Sequence, residues 1–339
     1  MKANKLSAIC SSRKILNYTY FDLVFEWEDV FQSALDIPIV YTRQYDRYIN
    51  RIIRRVKWNP FSFFHPSGYY EFMWVMNASW SWTNSHYYRV NILPAIIDFY
   101  LSKEQLTDFY NAYSKIPFIL ISSLEAFNFL KENNCPKQIY HFPLSLPDKY
   151  KITPATRFEK EYDLVLMGRT NPVFDDYLKR YVAQHKDFTY VYRQEQGKNF
   201  HYFTSKGEFV GNINHNSRER YIDLMRKSKI CLYSTPGMDG EVKWKNGFNQ
   251  VTPRFLELLS CGCHVIARYK QNPDTDYYRL DKFSPCITSY DEFEKAMDKA
   301  LNTEVDMKMY SEYLENHYTT KRVELLKTIL EKENITWKK

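Results

Sequence analysis

The stretch NQVTPRFLELLSCGCHVIARY, Asn249 to Tyr269, spells out a helix, its stop and a following strand. Thr252 suits an N-cap, and Pro253 suits the first helical position, where the N–H it lacks would have no partner. Phe255, Leu256, Leu258 and Leu259 make a broad apolar face. Gly262 can take the left-handed conformation that ends a helix. HVIARY is a short apolar run of the kind found in buried strands. Helix–glycine–strand is a repeating piece of α/β folds. The start of such a helix attracts anions, because its first N–H groups have no partners. Arg254 adds a charge suited to phosphate. Glu257 lies one turn further in, within reach of a molecule bound at the helix end.

Outward from this stretch the same alternation fills the chain. In the first half, FDLVFEW (21–27) reads as a strand followed by a helix over EDVFQSALD (28–36), with a second strand at IPIVYT. RQYDRYINRIIRRVKW reads as a basic helix, and NPFSFFHPSGYY as an aromatic loop. EFMWVMNAS, ILPAIIDFYL and IPFILISS are strand-like. Ser102 with Gln105 forms a capping box, and Ser123 caps a further helix. The polar segment DKYKITPATRFEKEY (148–162) contains Pro154 and lacks periodicity, which marks a domain boundary. Strands at YDLVLMG, FTYVYRQ, GEFVG, KICLYST and HVIARY then alternate with helices. The expected fold class is α/β, two doubly wound Rossmann-like domains with parallel sheets facing a cleft. The expected domains are 1–150, 151–310, and a C-terminal helical segment 311–339 that can pack back on the first.

Composition narrows the class. The chain has 339 residues, enough for two domains. Hydrophobic residues at 44% and charged residues at 26% describe a globular protein with ample core. The net charge of +7 permits a phosphorylated ligand or an acidic surface and does not demand nucleic acid. None of the six cysteines forms C-x-x-C, so zinc is not signalled, and reduced buried thiols of a cytoplasmic protein are expected. The basic N-terminus MKANKLSAICSSRK lacks the apolar run of a signal peptide. No segment reaches 18 consecutive apolar residues, so no membrane span is expected.

The chemistry collects in two loops. Three of the nine glycines, Gly237, Gly240 and Gly247, fall in PGMDGEVKWKNGFNQ with Lys243 and Lys245. Such a loop between a strand and a helix start lets backbone approach a ligand, although a flexible surface hairpin has the same composition. GRTNP (168–172) follows the first strand of the second domain. There Gly168 permits close approach and Arg169 can meet an anion. In a doubly wound sheet this loop and the one at Asn249 share an edge. Two basic loops and a helix start at one edge suit a diphosphate.

At these residues the chain resembles GT-B glycosyltransferases, closest to the family 4-like retaining enzymes and the CgeB-type group. The resemblance rests on YIDLMRKSKICLYSTP, NGFNQVTPRFLELLSCGCHVIARY and NHYTTKRVELLKTIL, with LVLMGRTNP similar to the family's opening strand and Arg-containing loop. ILISSLEAFNFLKENNCPKQIYHFPLSL resembles the last part of the family's first domain, so the similarity spans about residues 115–330. It implies a two-domain GT-B enzyme that moves a sugar from a nucleotide donor to a glycan or lipid-linked acceptor, as in surface polysaccharide or lipopolysaccharide synthesis. It implies that Glu257 holds the ribose hydroxyls, that Arg169 meets the diphosphate, and that Val251–Arg254 cradles the phosphates. Catalytic roles fall to Arg169, Asn249 and Arg254. Gly168, Thr170, Gly237, Lys243, Lys245, Gln250, Val251, Thr252 and Glu257 form the donor site. Many retaining members have a glutamate where this chain has Asn249, and the lysine that usually follows the loop arginine is missing from NPVFDD. Retention is expected all the same, with Lys243, Lys245, Arg193 or Arg254 as replacements for the lysine.

Oriented dipoles and cations can stabilise a leaving nucleotide without a metal. No cofactor or metal is therefore expected, and the one acidic match, DTD at Asp274–Asp276, reads as a loop. On the acceptor side the candidates are Glu26, Glu28, His65 and His86, each of which also suits a structural role. Arg47, Arg51, Arg54 and Arg55 recur at helical spacing among Tyr48, Ile52, Val56 and Trp58. A basic amphipathic helix of this kind can lie on an anionic membrane surface; a solvated face has the same pattern. The expected location is the cytoplasm, with the helix allowing a peripheral position at the inner face of the membrane. A nucleotide-sugar binding protein without turnover is the alternative left open by Asn249. A nucleic-acid binder using the basic helix is a third class, for which no recognised fold is present.

Overall fold

The computed structural model describes residues 4–16, 18–56, 68–78, 91–196, 199–214, 217–240 and 245–337. Contacts divide the chain into two units. One comprises Met1–Asp148, Trp244–Phe248 and Thr319–Lys339; the other comprises Lys149–Lys243 and Asn249–Tyr318.

The first unit runs β1 (Asn4–Ser11), α1 (Asp22–Leu35), β2 (Ile39–Tyr41), α2 (Gln44–Val56), β3 (Tyr69–Asn77), β4 (Ile92–Asp98), α3 (Leu106–Ala112), β5 (Phe118–Ile121), α4 (Leu124–Glu132) and β6 (Gln138–His141). The second runs β7 (Tyr162–Val165), α5 (Pro172–Gln184), β8 (Tyr190–Gln196), β9 (Asn199–Thr204), β10 (Phe209–Ile213), α6 (Arg218–Arg226), β11 (Ser228–Ser234), α7 (Arg254–Ser260), β12 (His264–Arg268), α8 (Pro273–Tyr277), α9 (Leu280–Phe283), α10 (Tyr290–Asn302) and α11 (Met307–Leu314). The chain then returns to the first unit with α12 (Thr319–Lys332) and β13 (Ile335–Thr336).

In the first unit the strand order is β13-β1-β3-β4-β5-β6, with β2 also on β1, and every pairing is parallel. Parallel strands are covered on both faces, which explains the near-continuous apolar runs of β4 and β5. One face carries α1 and α12. FDLVFEW is therefore helical, not a strand. A run of seven apolar-rich residues fits either period. Extended to Leu35, the buried positions Leu23, Val24, Trp27, Phe31 and Leu35 follow helical spacing. Asp36 in the left-handed region (φ 52°) ends the helix. Trp27, Phe31, Phe72, Trp74 and Phe142 form an aromatic cluster with ring centroids 4.8–6.3 Å apart. Val323, Leu326, Ile329 and Leu330 of α12 complete it. The start of α12 is tied down by Thr319 N–H to Leu146 O (2.9 Å) and by Arg322 Nε to Pro143 O (2.8 Å). The capping box at Ser102 and the cap at Ser123 form as expected.

The second sheet is ordered β10-β9-β8-β7-β11-β12. β8, β7, β11 and β12 are parallel; β8, β9 and β10 form an antiparallel edge. This edge departs from the expected all-parallel sheet. Only two residues separate β8 from β9, too few for a parallel crossover. α7 ends as its sequence dictates. Gly262 has φ 61°, and Cys263 N–H donates back to Leu258 O at 3.1 Å, a Schellman stop. Its start differs, because the cap position falls on Pro253 with no side-chain cap bond, while Thr252 is turned to Tyr233. The segment expected as a loop around Asp274–Asp276 is α8, opened by an Asn272 capping box. All six cysteines are free. Cys10, Cys231, Cys261 and Cys263 are buried, and Cys135 and Cys286 half-buried. Among the described residues no helix is long and apolar enough to cross a membrane.

Trp27 tests the packing of α1. Its ring packs tilted against Trp74 and its Nε1 donates to Ser145 O at 3.0 Å. Trp27→Ala is expected to cost about 3–5 kcal/mol through the cavity it leaves. Trp27→Phe is expected to cost about 1–3 kcal/mol, since it strands the buried carbonyl. Urea unfolding of both variants checks the order.

Candidate functional site

The carboxyl ends of β7, β11 and β12 lie side by side in the second sheet, where α/β folds place ligands. Three segments meet there: Leu166–Asn171 after β7, Thr235–Gly240 after β11, and Asn249–Arg254 leading into α7.

Arg254 joins the first of these to the third. Its Nη1 donates to Met167 O at 2.9 Å and approaches Arg169 O at 3.5 Å. The guanidinium passes directly over Gly168, whose φ is 70°, and a Cβ there would collide with it. Glycine is thus required at 168 twice over, for its dihedral and for the arginine it admits. Asn171 opens α5, its Oδ1 accepting from Val173 and Phe174 N–H at 3.0 and 3.2 Å. Arg169, Thr170, Asn171 and Ser234 border a hollow of about 20 Å3. Thr170 also bonds Asp175, whose carboxyl burial nevertheless pushes upward.

At the start of α7, Thr252 N–H donates to Tyr233 Oη (3.0 Å), a buried phenol whose pKa is raised by burial. Asn249 is buried among polar partners. Its Oδ1 accepts from Thr235 Oγ1 (2.8 Å), and its backbone oxygen from Asn272 Nδ2 (3.0 Å). Gln250 and Val251 are buried beside it. Gly237 has φ 90°.

Glu257 is 2% exposed, and its Oε1 accepts from Arg218 Nη2. Arg218, at the first position of α6, was not found from the sequence. It stands 39 residues from its partner, in a polar segment with nothing to single it out. Its guanidinium lies over Tyr150 and Tyr221, at 5.7 and 5.3 Å from the ring centroids. Burial, with the Glu257 charge behind it, drives the Tyr221 phenol upward, so it stays neutral.

Other expected residues stand elsewhere. Lys245 belongs to the first unit, buried with its Nζ 5.0 Å from the Tyr100 ring. Asn246 beside it donates to Tyr100 O at 2.6 Å. Lys243, His65 and His86 lie outside the described residues, as do the side chains of Arg47 and Arg54. Arg193 is on β8, paired with Glu195 at 2.8 Å. Glu26 and Glu28 are both on α1. Among the described residues no three His, Cys, Asp or Glu groups converge as metal ligands. At the amino edge of the second sheet a cavity of about 560 Å3 is lined by Phe158, Lys160, Lys229, His264, Val305 and Met307. Its lysines are already engaged, Lys160 with Cys261 O (2.9 Å) and Lys229 with Asp163 (3.1 Å).

Glu28 sits at the carboxyl end of β1 in the first unit. It accepts from Ser11 Oγ at 2.6 Å and lies 3.5 Å from Arg13 Nη2. Burial pushes its carboxyl from 4.5 up to about 7; Ser11 and Arg13 offset only part of this. Between those values the folded protein holds a proton that the unfolded chain has lost. The stability from this group is therefore present at low pH and falls as pH rises through 7. Glu28→Gln removes that dependence. Relative to wild type the variant is expected to gain stability between pH 5 and pH 8, by about 1 kcal/mol or more. Denaturant titrations at the two pH values measure it; a constant difference would contradict the burial effect.

Residues 185–328 match a family model described as glycosyl transferase-like. No curated protein matches the chain by sequence. Among solved structures the fold is similar to sucrose-phosphate synthase from Thermosynechococcus elongatus, with a TM-score of 0.53 and 10% identity over 97% of this chain and 98% of that one. Lower similarity is found to the pneumococcal O-GlcNAc transferase GtfA in complex with UDP and GlcNAc, with a TM-score of 0.49 and 11% identity over 84% of this chain. The match to S. aureus MnaA, solved with UDP, has a TM-score of 0.48 and 12% identity over 98% of both chains. The chain spans 60% of the length of the GtfA chain. The architecture is that of the GT-B fold. The similarity to group 1-type glycosyltransferases read from the sequence holds over the matched segment.

Proposed function

We propose that the chain transfers a sugar from a nucleotide-sugar donor to a glycan or lipid-linked acceptor, with retention and without a metal. The observation that carries this reading is the joint between Gly168 and Arg254, which brings the loop after β7 against the start of α7 at the carboxyl edge of the sheet. Arg254 lies within the segment matched by the glycosyl transferase-like family model, and Gly168 a short way before it.

In this reading the loop Gly168–Asn171 and the segment Val251–Arg254 receive the diphosphate. Arg169 meets the charge that develops on the leaving nucleotide. Preorganised cations and N–H groups in a partly dry site stabilise such charge strongly, because they need no reorganisation when it appears. Glu257, oriented by Arg218, accepts from a ribose hydroxyl. Asn249 acts as a strut through Thr235 and Asn272 and shapes the backbone under the sugar.

The test is nucleotide release from UDP-, GDP-, ADP- and CMP-sugars, with Glu257→Ala in parallel. Release with one donor, reduced about 100-fold in the variant, is expected. Release by neither protein, with thermal stabilisation of the wild type by a nucleotide, would favour a binding protein without turnover. Neither release nor stabilisation with any donor would overturn the proposal.

A membrane-bound acceptor finds support in α2. Tyr45, Tyr48, Ile52 and Val56 are 51–63% exposed, while Asp46, Asn50 and Ile53 are buried. This helix turns its apolar stripe outward, with Arg51 and Arg55 exposed beside it. Apolar side chains flanked by arginine suit the interface of an anionic bilayer. Sedimentation with phosphatidylglycerol vesicles is expected to carry the protein down, and phosphatidylcholine vesicles to leave it in solution. Ile52→Asp is expected to weaken binding at least about tenfold; equal binding by the variant would exclude α2 as the contact.

A further inference from the structure

The loop after β11 is fastened to both of its neighbours by one carboxylate. β11 lies between β7 and β12 in the sheet. Asp239, in the loop that leaves β11, accepts from Asn171 Nδ2 of the loop after β7 at 2.7 Å. It accepts from Arg268 at the end of β12 through Nε (2.8 Å) and Nη2 (2.6 Å). The Asp239–Arg268 pair is bidentate, and both side chains are only 14% exposed. Arg268 is itself fixed by Nη1 to Ile287 O at 2.7 Å. Asn171 contributes at both ends of its amide, its oxygen capping α5 and its nitrogen holding Asp239.

Two further features show that this arrangement is specific. Asp239 has φ 62° and ψ 24°, a left-handed conformation that few residues other than glycine, asparagine and aspartate accept. Arginine and carboxylate in bidentate contact form one of the stronger directed polar interactions, and lysine does not reproduce its fork. The carboxyl of Asp239 is held below its usual range by the Arg268 bonds first.

We propose that Asp239 is a positioning residue for the donor site, latching the glycine-bearing loop after β11 to the loop that carries Gly168, Arg169 and Thr170. The proposal rests on the reading of this edge as the nucleotide-sugar site. Asp239 acts through Asn171 and Arg268 and needs no contact with the donor. The latch fixes the loop after β7 from one side as Arg254 fixes it from the other. Its loss leaves α5 without part of its cap alignment and frees the Arg268 guanidinium.

The experiment has two arms on the full chain, with Asp239→Ala, Asp239→Asn and Arg268→Lys. The first is hydrogen–deuterium exchange without ligand, following peptides that span 166–174 and 235–240. Asp239→Ala is expected to speed exchange in both segments roughly tenfold, the effect of losing charge-assisted bonds. Arg268→Lys is expected to give a smaller change in the same two places. Acceleration confined to 235–240, or none, would overturn the latch. The second arm measures KM and kcat with whichever donor the wild type uses. Asp239→Ala is expected to raise KM about tenfold and to change kcat less than about threefold, with Asp239→Asn intermediate. An unchanged KM alongside coupled exchange would reduce Asp239 to a stabilising role and overturn the proposal. If the wild type uses no donor, the functional reading fails, and with it the donor role, while exchange still decides the latch.

Discussion

A half-buried guanidinium threading past a glycine sets the geometry of the second unit's working edge. Arg254 could not reach Met167 O if residue 168 had a side chain. The loop after β7 would lose its anchor if residue 254 lacked a charged fork. Drawing a cation even partly out of water is unfavourable unless polar groups replace the solvent. Here backbone carbonyls do so, and in exchange the loop is drawn into one conformation. The directions of Arg169, Thr170 and Asn171 follow from that pairing. So does the place of Asp239, because Asn171 is one of its holders.

Glu28 and Glu257 show how the same side chain, equally buried, is given different partners. Both are 2% exposed. Glu257 has an arginine in direct contact. Glu28 has a serine hydroxyl at 2.6 Å and an arginine only at 3.5 Å, and its proton is retained to about pH 7. For Glu28, burial raises the carboxyl, and the hydroxyl and the more distant cation offset only part of that.

Much of this was legible in the sequence, and the parts that were not share a cause. The helix–glycine–strand unit at α7 and β12 was readable because proline and glycine act locally. Their backbone preferences hold wherever the chain goes, as φ 61° at Gly262 shows. The caps at Ser102 and Ser123 were readable for the same reason. The start of α1 was misread because its first seven residues satisfy two periods and only the continuation to Leu35 decides between them. β1 was hidden in a basic N-terminal stretch that looked merely polar, and β9 in a segment without a clear apolar alternation. The polar partners were beyond reach altogether. Arg218 meets Glu257 across 39 residues, and Asp239 meets Arg268 across 29. No local pattern encodes such a meeting. Lys245 looked like a ligand for phosphate by its neighbours in sequence, yet its neighbours in space are those of the first unit.

The return of the chain to its first unit has a consequence for biosynthesis. β1 has β13 on one edge, and the face of the sheet beneath α1 is completed by α12. Both arrive more than 300 positions after β1 in the sequence. On a ribosome, the amino-terminal strands would emerge first and wait longest, with the apolar surface around Phe31, Phe72 and Trp74 still uncovered. The second unit has all its residues between 149 and 318 and can close sooner. The usual order, amino-terminal domain first, is therefore inverted for the final step. The interval of exposure is when a chaperone would have most to hold.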